Sequence, residues 1–145
     1  MSKRAVLGLS LLGLGLGMFS SPEAQADEKE ANSCLQSKIW SGYSEGWAVR
    51  TATTTTLKEA EHRVYLVTLY AGNEYKFQVC ADDSAENMDI ILHDVDGNEV
   101  LRDETSDREP VLSYKPAETQ TYYVAVFASN LKEAEAGVAL AVTYR

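Results

Sequence analysis

EYKFQVC (Glu74–Cys80) and TYYVAVF (Thr121–Phe127) decide the fold. In both runs apolar and polar residues alternate with period two, the pattern of a strand with one buried face. Between them lie the acidic stretch ADDSAEN (81–87), the apolar run MDIILHD (88–94) and the turn-bearing VDGNEV (95–100). Asp96-Gly97 within the last of these is a strong hairpin signal. In the first run Tyr75, Phe77, Val79 and Ala81 point to one side, and Glu74, Lys76, Gln78 and Cys80 point to the other. Cys80 therefore belongs to an outer face.

Outward from this centre the chain continues to read as strands. RTATTTTL (Arg50–Leu57) is rich in β-branched residues. RVYLVTLY (Arg63–Tyr70) is apolar on both faces, which predicts that both are covered. Met88, Ile90 and Leu92 face inward, followed by Glu99–Asp103, Val111–Tyr114, a strand with Tyr122, Val124 and Val126 inward, and Val138–Tyr144. Ser129–Ala136 reads as a loop with a helical turn at Leu131–Ala136. About eight antiparallel strands with short turns predict an all-β, jelly-roll-like sandwich over residues 50–145.

The N-terminal part has a different character. Lys3 and Arg4 precede an apolar run, Ala5–Phe19, then Pro22 and the small-x-small site Ala24-Gln25-Ala26. This predicts a signal peptide over residues 1–26, cleaved before Asp27. The run is short for a membrane span, so the remaining chain is expected to be exported, periplasmic or extracellular, without stable membrane insertion. Residues 27–49 form an N-terminal segment and helix, with Asn32 or Ser33 as cap and Cys34 as the start. Leu35, Ile39, Trp40, Tyr43 and Trp47 make an apolar and aromatic stripe.

Cys34 and Cys80 are the chain's two cysteines. In an oxidising compartment they pair, closing a loop that stabilises the fold by roughly 4 kcal/mol; two free thiols are the alternative. A bond to Cys80 would lay the helix across the outside of the sandwich, with Trp40 and Trp47 covering strand residues such as Val64 and Leu66.

The net charge of −9 excludes nucleic acid as a default partner. The histidines, His62 and His93, accompany no nucleophile elbow, so no catalytic residue is assigned. Two oxygen-rich clusters, Asp82, Asp83, Glu86, Asp89 and Asp94, Asp96, Asn98, Glu99, have the chemistry calcium takes. DVDGNE carries its glycine at the fourth position, unlike an EF-hand, and an Asp-Gly turn explains it without metal. No cofactor or metal ligand is assigned, and calcium remains the candidate ion. Trp40, Tyr43 and Trp47 are packing surface or a stacking platform for a sugar or peptide.

In combination these motifs resemble the bacterial pre-peptidase C-terminal (PPC) domain. Gly72, Tyr75 and Phe77 match its first strand motif; Asp89, Ile90, Leu92, Asp94 and Gly97 match its hairpin; Pro116, Thr119, Tyr122, Tyr123, Val124 and Val126 match its last motif. Gln120 stands where the family has a glycine, the N-terminal helix is extra, and no protease domain precedes the module. The resemblance implies a β-sandwich and a non-catalytic binding or accessory role. The expectation is therefore a monomeric exported module for a protein or glycan ligand. An envelope-associated structural or enzyme-inhibitory protein is the alternative, and a calcium-dependent binding domain a further one.

Overall fold

Eight strands pair as a nested ribbon in the computed structural model, which describes residues 26–103 and 105–145. The predicted signal peptide lies, apart from Ala26, outside the described residues. The strands are β1 (Ala48–Lys58), β2 (His62–Leu69), β3 (Tyr75–Ala81), β4 (Ala85–His93), β5 (Glu99–Asp103), β6 (Val111–Tyr114), β7 (Gln120–Leu131) and β8 (Glu135–Tyr144). Antiparallel partners are β1 with β8, β2 with β7, β3 with β6, and β4 with β5. The β4–β5 hairpin is the tip of this ribbon. Rolled up, the ribbon yields a front sheet, β1-β8-β3-β6, and a back sheet, β2-β7-β4-β5. That is a jelly roll, as the sequence predicts.

Turn chemistry holds the tip. Asp94 Oδ1 accepts from the amides of Asp96 and Asn98, and Gly97 adopts φ 85°, where a side chain would be strained. The Tyr70–Tyr75 turn is held by its own aromatic, since the Tyr75 hydroxyl accepts from the Tyr70 amide at 2.8 Å. Between the sheets, Phe77, Val79, Ile90, Leu92, Tyr122, Val124, Leu140 and Val142 are buried, as period-two alternation requires. β7 runs on to Leu131, which corrects the predicted loop and helical turn: Asn130 and Leu131 pair with Asn87 and Ala85 of β4.

The helix, α1, spans Glu28–Tyr43. It begins a turn and a half earlier than expected, because Asp27 rather than Asn32 or Ser33 is the cap, accepting from the Glu30 amide at 2.9 Å. Gly46 ends it at φ 90°, and the Trp47 amide returns to the Gly42 carbonyl at 3.1 Å, a Schellman arrangement. Ala31 and Leu35 are its buried residues, set on Cys80, Ala139 and Ala141 of the front sheet's outer face. Cys34 and Cys80 are bonded, with Cα atoms 5.9 Å apart. The helix thus covers β8, β1 and β3.

It does not cover β2, which belongs to the other sheet. Val64 and Leu66 are exposed, so the expectation that both faces of β2 are covered is wrong, as is the placement of Trp40 and Trp47 over them. An apolar outer face is covered only where the tether carries the helix.

Leu35→Ala leaves the seat on Ala139 and Ala141 without its knob. It should cost about 2–4 kcal/mol in urea unfolding, with the disulfide intact. A second expectation concerns alkaline pH. Burial, then the Tyr114 hydroxyl at 3.3 Å, pushes the Tyr122 phenol from 10.0 up to about 12. Burial shifts half-buried Tyr65 the same way, opposed by Arg63. As pH rises past 10 the unfolded chain loses these protons first, so it binds fewer than the fold does and stability falls. The contribution is complete below pH 10 and lost on approaching pH 12. Urea midpoints should therefore drop between about pH 10 and pH 12, together with a delayed phenolate absorbance.

Candidate functional site

The outer face of the back sheet is the sandwich's open face. Its residues follow from strand alternation: Val64, Leu66 and His62 on β2, Tyr123, Ala125 and Phe127 on β7, Asp89, Ile91 and His93 on β4. Register aligns them in rows across the strands. His62, Phe127 and Asp89 form one row, Val64, Ala125 and Ile91 the next, and Leu66, Tyr123 and His93 the third. Leu66 is 66% exposed and Val64 49%, both on an edge strand. Tyr123 and Phe127 are half-buried, and Ala125 and Ile91 are buried beneath their neighbours. The His62 ring stacks on Phe127 with centroids 4.9 Å apart.

Acidic groups border the apolar rows. Asp89 Oδ2 accepts from the Ser129 hydroxyl, while Asp89 Oδ1 is buried and has no hydrogen-bond partner among the described residues. Glu86 accepts from the Asn130 amide side chain at 2.9 Å. An unpaired buried acceptor is costly, and a donor from outside would relieve it. This combination of exposed aliphatic surface, aromatic edges and one waiting carboxylate oxygen suits recognition.

His62 and His93 share this face but not a site. They lie opposite Phe127 and Tyr123, four residues apart on β7, hence roughly 13 Å apart along the strand. Ser129 and Asp89 pair, and Phe127 separates Asp89 from His62 across the sheet.

The acidic clusters also come apart. Asp82 is buried and accepts from backbone amides of Asp27, Ser84 and Gly137. Asp83 pairs with Arg108 at 2.8 Å, which holds its carboxyl below the usual range. Glu99 pairs with Arg102, and Asp94 is engaged in its own turn. Among the described residues, the one group of His, Cys, Asp or Glu ligand atoms within 4.8 Å of one another is Cys34, Cys80 and Glu109. Two of its members form the disulfide. Glu109 Oε1 lies 2.8 Å from Cys34 Sγ, but a bonded sulfur has no proton to donate; the carboxylate's charged partner is Lys38 at 3.6 Å.

The expected aromatic stripe divides, because α1 ends at Tyr43 and Trp47 lies beyond it. Trp47 is buried on the front sheet between Lys76 Nζ, 4.3 Å from its ring centre, and the Arg145 guanidinium at 4.5 Å. Each cation faces the ring's negative π-surface. Trp40 and Tyr43 are exposed and touch each other edge to face at 6.2 Å. The one sequence signal of the exposed back-sheet rows is the two-faced apolarity of RVYLVTLY, which predicts a covered strand where the structure has an open one.

Compared with protein-family models and with curated proteins, the chain matches none.

Trp47→Ala should cost about 3 kcal/mol in urea unfolding, as for other buried aromatics. Trp40→Ala should change stability by less than about 0.5 kcal/mol. Acrylamide should quench the fluorescence that Trp47→Ala retains and leave most of what Trp40→Ala retains.

Proposed function

We propose that the protein is an exported, non-catalytic binding module whose outer back-sheet face docks on another protein. The observation that carries this is the pairing of exposed Val64 and Leu66 with the buried, unpartnered Asp89 Oδ1 on the same face. Aliphatic side chains exposed to this extent gain from burial against apolar protein surface. A sugar hydrogen-bonds and stacks on rings but does little for Val64 and Leu66, so a protein is the occupant favoured over a glycan. The partner has an apolar centre with a lysine, arginine or amide donor aimed at Asp89, and the chain's charge of −9 favours a basic rim.

Several features support an exported setting. The Lys3–Ala26 pattern is that of a signal peptide. The Cys34–Cys80 bond suits an oxidising compartment. No helix among the described residues is long and apolar enough to cross a membrane. The resemblance to PPC domains points to the same class of role, with Gly72, Tyr75, Asp94 and Gly97 all engaged in turns.

A photo-crosslinking residue at Leu66 in the exporting cell should give a discrete protein adduct. The same residue at Trp40 should give none. Adding Val64→Asp should reduce the Leu66 adduct at least about tenfold while leaving the melting temperature nearly unchanged, because exposed positions tolerate substitution. Equal crosslinking from both positions would remove the assignment. Glycan binding lost in Tyr123→Ala would transfer the face to a sugar.

A further inference from the structure

Asp82 is 1% exposed, yet no lysine, arginine or histidine pairs with it among the described residues. A carboxylate taken this far from water needs either a cation or a full set of donors. Asp82 has three backbone donors. Ser84 N–H reaches Oδ1 at 2.9 Å, Gly137 N–H reaches Oδ2 at 2.9 Å, and the nitrogen of Asp27 reaches Oδ2 at 2.6 Å. The last contact is as short as a charge-assisted bond and shorter than amides usually make. Its donor is the nitrogen that follows Ala24-Gln25-Ala26, where the sequence places the signal-peptide cut.

We propose that Asp82 is the internal receptor for the α-ammonium created by cleavage between Ala26 and Asp27. A signal-cleaving endopeptidase adds water across the Ala26–Asp27 amide. Ala26 departs with the carboxylate, and the freed Asp27 amine takes up a proton. The new cation then meets Oδ2 at the position the amide nitrogen holds, and the buried carboxylate gains a partly buried cationic partner.

Three details of the site fit this role. Gly137 makes the seat: a methyl there would lie 2.5 Å from the Asp27 carbonyl oxygen and 2.7 Å from the Glu28 nitrogen. The surroundings are rich in negative charge, with Glu28 and Glu30 in the first helical turn and Asp83 alongside. Partial burial and then the Asp83 carboxylate push the Glu30 carboxyl up, while Arg108 pairs with Asp83 rather than with Asp82. Finally, an ammonium at a helix N-terminus meets the positive end of the helix dipole, so a buried carboxylate is what makes that placement favourable.

The exported protein should begin at Asp27 by N-terminal sequencing. At neutral pH its α-amine should react with an acylating reagent at least about tenfold more slowly in the native protein than in guanidinium, since reaction requires local opening. Oxidised protein that retains Ala26 should melt about 4 °C lower than protein starting at Asp27. In the Asp82→Asn background the same extension should cause no further loss. An α-amine as reactive as in the unfolded chain, a different mature start, or an extension penalty that persists undiminished in Asp82→Asn would overturn the proposal. The labelling comparison needs only the wild-type protein, so poor folding of Asp82→Asn leaves the test intact.

Discussion

Burial of β8 on both faces is the constraint the rest of the structure answers to. Its inward residues, Val138, Leu140 and Val142, meet the back sheet, and its outward Ala139 and Ala141 have no polar character to offer water. A strand like this needs a second layer. The helix supplies it, and small alanines let the helix backbone come close. The tether and the cap sit at neighbouring points of the same contact: Cys34 is fixed to Cys80 of the adjacent β3, and Asp27 rests against Gly137 at the start of β8. One sheet is thereby closed, and the molecule is left with two unlike sides.

That asymmetry separates a packed surface from an open one. On the closed side, charge is engaged in packing: Lys76 and Arg145 hold Trp47, and Lys38 faces Glu109. On the open side, apolar side chains face solvent beside one buried, unsatisfied carboxylate oxygen. The jelly roll itself dictates neither arrangement, since folds host many functions and sites are specific to a chain.

Much of the fold was legible in the sequence. Period-two runs and Asp96-Gly97 mark the ribbon and its tip, and the alternation around Cys80 is enough to send the helix outside. What stayed hidden depended on distant residues. Asp27 caps α1 because Asp82, 55 positions later, fixes its backbone. RVYLVTLY and GVALAVTY look alike as two-faced apolar strands, yet only the second is covered. The difference is size and position: alanines on an inner strand accept a helix, while Val64 and Leu66 on an edge strand do not receive one. The open face was therefore the least legible part, because its exposure is a property of the whole topology.

The nesting of the ribbon also has a kinetic meaning. Ala48 pairs with Tyr144, so the first strand waits for the last, and β3 waits for the same partner. Contacts so distant in sequence make folding slow. The front sheet has no centre until β8 arrives, so a chain emerging in order stays open nearly to its end. The topology itself thereby keeps the chain open until its last strand is in place.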